Sequence, residues 1–181
     1  MLAKRNIYVY MDWHEFVQPI FMGTLQSEMV RGKEVFYFEN DTQWLKYSQF
    51  RNIDPDLTAF TGKQFLPPSK QNFGIFLDSS PDRWGRTLLQ RKEAIVARNE
   101  GRTPRHLWET DYLMGIYDGN RMGALRFKFS KDGDFMDNNP HMATPPWTSL
   151  RELEHASWQI ELEEPNKSAI FYGVFILVNL I

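Results

Sequence analysis

The chain has no cysteine among its 181 residues. Disulfides, thiolate nucleophiles and Cys-ligated zinc are therefore excluded, and a reducing cytosol is compatible. It also lacks an excess of charge of either sign. Lys and Arg total 21 against 23 Asp and Glu, a net charge of −2, so the broad basic footprint that neutralises a phosphate backbone is missing and direct nucleic-acid binding is not expected. No apolar run has the ~20 residues that a membrane helix needs, and the uncharged stretch Ala169 to Ile181 falls short of it. Met1 to Tyr10 carry Lys4 and Arg5 but no extended apolar segment, so a signal peptide is not expected and a cytoplasmic location is.

Chemistry-bearing motifs are scarce as well. The histidines, His14, His106, His141 and His155, fall at no metal-ligand spacing, and H-E-x-x-H does not occur. Asp132, Asp134 and Asp137 have the look of a calcium loop, but the glycine stands at Gly133 and no Glu closes the loop, which leaves a polar linker. Gly115, Gly119 and Gly123 match neither the Walker nor the dinucleotide pattern, so turns and close packing account for them. There is no G-x-S-x-G, no H-R-D and no D-F-G. No metal, no cofactor and no catalytic residue is expected in this chain.

What the chain does have is bulk. Phe, Tyr and Trp make up 15% of it, and 11 Gly with 10 Pro supply turns, as in a well-filled core of ordinary domain size. Ile7 to Met11 is rich in β-branched and aromatic residues and reads as a strand. Ile20 to Glu39 reads as an antiparallel hairpin turning at Arg31-Gly32-Lys33. Asp41 is placed to cap a short helix carrying Trp44, Leu45 and Tyr47, and Asp54-Pro55 and Pro67-Pro68 mark loops. A longer helix is expected to start at Ser79 or Ser80 as cap, with Pro81 in the first turn, Asp82 at the positive end of the dipole and Gly101 as the stop. Its apolar positions are Trp84, Leu88, Leu89, Ile95 and Val96. Thr103-Pro104 repeats the signal and predicts another helix through about Ile116, presenting Leu107, Leu113 and Met114. Asp118-Gly119-Asn120 reads as a turn and Gly123 to Phe129 as a strand. The expected class is α+β: a small antiparallel sheet or partial barrel followed by packed helices.

Beyond residue 130 the pattern changes. Residues 131–148 read as a linker or long loop, 149–168 as a helix opened by the S-x-x-E box at Ser149 and Glu152, and 169–181 as an apolar tail.

Phe73 to Arg86 reads F-G-x-F-x-D-S-x-P-D-x-W-G-R, and Met122-Gly123-Ala124-Leu125-Arg126-Phe127 closes a second block that begins at Tyr112. Gly85 inside a helix costs ~1 kcal/mol relative to Ala, which implies close packing beside Trp84. In this order the two blocks resemble the N-terminal region of HipA-family serine/threonine kinase toxins of bacterial toxin–antitoxin modules, over Ile7 to about Ser168. The resemblance implies that residues 1–130 form the small α+β subdomain that packs on the kinase core and helps contact a helix-turn-helix antitoxin. Residues 149–168 would then lead toward a core whose ATP-phosphate loop, lysine and aspartates are not in this chain. An intact family member would use ATP and Mg; this chain is expected to be non-catalytic. Ala169 to Ile181 is then expected to be read out of frame, making the chain a severed toxin. The alternative is a free-standing accessory or antitoxin protein that binds a separately encoded kinase. The residues singled out for an interface or for the family motif are Phe73, Phe76, Asp78, Ser79, Pro81, Asp82, Trp84, Gly85, Arg86, Gly115, Met122, Gly123 and Ala124, with Trp84 and Arg86 as anchors.

Overall fold

Alternation of side chains sets the sheet. In Arg5–Met11 (β1) the residues Ile7, Val9 and Met11 are buried, and Tyr8 and Tyr10 take the opposite face, as a period of two requires. Ile20–Val30 (β2) and Lys33–Asn40 (β3) form the expected hairpin. Arg31 and Gly32 turn it, both at positive φ (51° and 79°), the backbone twist that suits a two-residue hairpin loop. The register between β1 and β2 slips at Val9/Tyr10, a bulge on the β2 side at Met22. Beside it Gly23 lies under Phe38. A Cβ there would sit 2.3 Å from the Glu39 carbonyl oxygen and 2.6 Å from Phe38 Cζ, so only glycine fits.

The computed structural model describes residues 4–47, 53–67, 69–116, 118, 121 and 123–136. Among these, Lys63–Phe65 (β4) adds outside β3 and Leu125–Lys128 (β5) adds outside β1, giving a five-stranded antiparallel sheet of order β4-β3-β2-β1-β5. The fold is α+β, as expected. The helices are Thr42–Leu45 (α1), Gly74–Asp78 (α2), Arg83–Asn99 (α3) and Glu109–Met114 (α4). One face of the sheet, through Ile7, Val9, Leu25, Phe36, Phe38 and Phe127, packs with Trp44 of α1, Phe76 of α2 and Leu113 and Met114 of α4. Helix α3 joins on the outside of α4: Gln90 Nε2 donates to the Tyr112 hydroxyl at 2.8 Å, and Leu89 meets Gly115. No described helix is long and apolar enough to cross a membrane.

Caps follow the sequence closely at some ends. Asp41 accepts from the backbone N–H groups of Gln43 and Trp44 (2.8 and 3.2 Å). At the end of α3 Gly101 has φ +65°, and Gly101 and Arg102 donate back to Arg98 and Ala97, the paired bonds that close a helix on a left-handed residue.

Other ends differ from expectation. Ser79 and Ser80 do not open α3. Their hydroxyls donate to the carbonyls of Ile75 and Phe76 at 2.8 Å and finish α2 instead, and Asp82 takes the cap by accepting from Gly85 N at 2.8 Å. Helix α2 itself is too short to show a 3.6-residue period. Nor does Thr103-Pro104 start a helix. Glu93 on α3 accepts from the backbone N–H of Arg105 (3.0 Å) and pairs with Arg102 (2.5 Å), which holds the segment against α3 in non-helical form. Those bonds hold the Glu93 carboxyl down to about 2. Helix α4 opens only at Glu109, where Asp111 accepts from Trp108 N at 2.9 Å.

After β5 the chain turns back, and Met136 N donates to the Phe127 carbonyl at 2.9 Å; residues 131–136 are neither helix nor strand. The rest of the expected linker, the 149–168 helix, the 169–181 tail, Met122 and most of the Asp118-Gly119-Asn120 turn lie outside the described residues.

Candidate functional site

The first motif block is a helix–turn–helix corner whose residues mostly build it. Phe73 and Phe76 are fully buried. The first turn of α2 has no capping side chain of its own, and Asp54 supplies one from a distant loop, accepting from Ile75 N at 2.7 Å. Gly74 leaves room for it, since a Cβ there would stand 3.2 Å from Asp54 Oδ2. Pro81 and Gly85 are buried, and Asp82 caps α3.

Arg86 is committed inside the molecule. Its Nη1 and Nη2 donate to the two oxygens of Glu109 at 2.5 and 2.7 Å, Nε donates to the Pro81 carbonyl at 3.2 Å, and the guanidinium lies 4.7 Å from the Tyr112 ring centre. The bond to Glu109 pushes its pKa upward. An Arg86→Ala variant is therefore expected to lose about 1–3 kcal/mol of stability, the worth of charge-assisted bonds at a half-buried site. Arg86→Lys recovers little, because a point charge does not replace a fork. A melting temperature unchanged from wild type would contradict this role.

The second block closes on the first through Arg121. Its side chain is 1% exposed. Nη1 donates to the carbonyls of Ser79 (2.8 Å) and Leu113 (2.7 Å), Nε donates to Asp118 Oδ1 (3.2 Å), and the guanidinium covers the Phe127 ring at 4.5 Å. Asp118 is buried too, and its second oxygen accepts from Arg126 at 3.3 Å. Burial pushes the Asp118 carboxyl above its ordinary value, against the opposing pull of Arg121 and Arg126. Arg126 also pairs with Asp12, whose backbone N–H donates to the Ala124 carbonyl at 2.7 Å. Gly115 is a close approach: a Cβ would meet the Asp111 carbonyl oxygen at 2.8 Å and the Leu89 methyls at 3.2–3.3 Å. Gly123, at φ +85°, turns the chain into β5. Sequence reading did not single out Arg121, which follows the Asp118-Gly119-Asn120 turn. The available signal was the i,i+3 spacing of Asp118 and Arg121 inside the second block.

Of the first block, Asp78, Asp82 and Arg83 remain exposed and Trp84 half-exposed. The Trp84 indole N–H is covered and has no hydrogen-bond partner, an uncommon state for a tryptophan.

A second feature is a groove of about 450 Å³ between the β2–β3 tip and the start of α4, lined by Lys33, Glu34, Lys70, His106 and Trp108 among others. Glu34 is occupied by Thr110, and Lys70 pairs with Asp56. Among the described residues no three His, Asp or Glu converge as metal ligands. Comparison with protein-family models, with curated proteins and with solved structures finds no match to this chain.

Proposed function

We propose that this chain is a non-catalytic protein-binding domain of the kind that precedes the catalytic core in HipA-like kinases, and that it docks on such a core, in cis or in trans, through the corner between α2 and α3. The observation that carries the reading is the convergence of the two motif blocks. Arg121 joins Ser79 of one to Leu113 and Asp118 of the other, so the residues that resemble the family form one corner in space. Within that corner the buried members have structural duties, and Asp78, Arg83 and Trp84 are the side chains left to face a partner. Tryptophan and arginine are frequent anchors of interfaces, and here an exposed Arg83 stands beside a half-buried Trp84.

The test is titration of the chain against a HipA-like kinase core lacking its own N-terminal subdomain, followed by calorimetry. Trp84→Ala combined with Arg83→Glu is expected to weaken binding about tenfold or more, the scale of a lost anchor, with the melting temperature held. Equal affinity removes the corner from the interface. Magnesium-dependent autophosphorylation by the purified chain alone would overturn the non-catalytic reading.

A further inference from the structure

The sheet has a second face, turned away from the core. The registers put Tyr8 and Tyr10 of β1, Phe21 of β2, Tyr37 of β3 and Phe65 of β4 on it, and the turn after β5 adds Phe135, 5.3 Å from Tyr10 in an edge-to-face pair. The helices pack on the other side, directly or through α4. Phe21 links Tyr8 and Tyr10, all three half-buried, with ring centres 6.1 and 5.3 Å away, and Phe65, 69% exposed, lies 5.4 Å from Tyr37, which is itself buried.

Lysines stand over these rings. Lys131 lies 4.6 Å from the Phe21 centre and 5.9 Å from Tyr8; Lys128 lies 4.4 Å from Phe135 and 5.1 Å from Tyr10. At the far edge Lys63 and Lys4 lie 4.8 and 5.4 Å from Tyr37. The acids on this face are Glu28 and Glu39, both close enough to act on Lys4, Asp132 near Tyr10, and Asp12, which is paired with Arg126 opposite Tyr10. Charge over the whole face is close to balanced, and the excess of lysine falls at the end around Tyr8, Tyr10 and Phe21, where Lys128 and Lys131 face Asp132.

We propose that this outer face, centred on Tyr8, Tyr10 and Phe21 with Lys128 and Lys131, binds single-stranded nucleic acid. Flat rings on an open sheet offer stacking surfaces to unpaired bases, and lysines poised over them supply the backbone's counter-charge. A duplex offers neither exposed base faces nor, to this flat sheet, a groove that any element enters. The proposal uses none of the α2–α3 corner residues and stands apart from the kinase-docking reading.

The experiment is fluorescence anisotropy of labelled oligo-dT and oligo-U with the full chain at low salt. Binding is expected to weaken with salt, log K falling against log salt with a slope of about −1.5 to −3, as for two to four phosphates neutralised on a single strand. Lys128→Glu with Lys131→Glu should reduce affinity roughly tenfold or more, and Tyr10→Leu, which keeps an apolar body but removes the stacking plane, by roughly tenfold. The melting temperature of each variant is checked, and the lysine pair carries the test if Tyr10→Leu does not fold. Absence of binding, equal affinity for duplex DNA of the same length, or unchanged affinity in the lysine variant would each overturn the proposal. So would binding confined to phosphatidylserine vesicles, which would make the face a membrane surface.

Discussion

Arg121→Ala is expected to lower the stability of the domain by about 3–5 kcal/mol, the cost of removing one partner from a buried ion pair. The guanidinium joins three carbonyls and a carboxylate at a point where both charged side chains are essentially without solvent. Its removal leaves Asp118 with Arg126 alone and two short carbonyl contacts unmade. Domains of this size hold only 5–15 kcal/mol in total, so the melting temperature should fall by many degrees. The loss should also depend on pH. Burial already raises the Asp118 carboxyl, and without Arg121 it rises further. A carboxyl whose folded pKa lies above its unfolded value weakens the fold as pH rises through that interval. The penalty is then largest at neutral pH and shrinks as pH falls through the carboxylate range, where Asp118 takes up a proton. Arg121→Met combined with Asp118→Asn removes both charges and should recover part of the loss. Thermal melts of the two variants across pH check this, and a loss below about 1 kcal/mol for Arg121→Ala would contradict a buried pair.

Phe76→Ala is expected to cost about 3–5 kcal/mol, the range for a phenylalanine removed from a packed core. Phe76 is fully buried on α2, and its ring meets Phe38 of β3 at 5.6 Å, Phe73 at 5.9 Å and Phe127 of β5 at 6.2 Å. It touches the middle of the sheet, its late-added edge strand and its own motif neighbour at once. A five-residue helix has little stability of its own, so α2 depends on this ring and on Asp54. Phe76→Leu should lose less, about 1.5 kcal/mol or under, because much of the volume is kept. Chemical denaturation with a matched slope decides it; equal losses for Leu and Ala would mean that ring shape, not burial, is what the site requires.

Much of the architecture was legible because it rests on short-range rules. β-Branched and aromatic content placed β1 and the β2–β3 hairpin, the Arg31-Gly32-Lys33 turn placed the reversal, and Asp41 and Gly101 placed two helix ends. Where local signals competed, sequence reading chose the wrong partner. Ser79, Ser80 and Asp82 are all good N-caps, and only the presence of α2 in front decides that the serines finish one helix while the aspartate begins the next. Thr103-Pro104 carries a sound helix-start signal that loses to the bonds Glu93 makes from α3. The short β4 is a strand because β3 offers it an edge, with Gln64 anchored to Thr58, not because its three residues favour one.

The candidate site divides in the same way. That Phe73, Gly74, Phe76, Asp82 and Gly85 matter was visible as a pattern. Asp82 acts locally, on Gly85 N, but what the others do was not visible, because it reaches far along the chain or into the core: Gly74 makes way for Asp54, and Ser79 offers its carbonyl to Arg121. Sequence by itself determined the class of fold, the strands of one hairpin, the cap at Asp41 and the stop at Gly101, since composition, turns and caps are properties of a few consecutive residues. Only the tertiary structure decided that Arg86 is spent on Glu109, that Arg121 holds the two motif blocks together, and that Lys4, Lys63, Lys128 and Lys131 stand over aromatic rings on the outer face of the sheet. Those are facts about which distant residues meet, and charge, hydrogen bonding and stacking act through space, not along the chain.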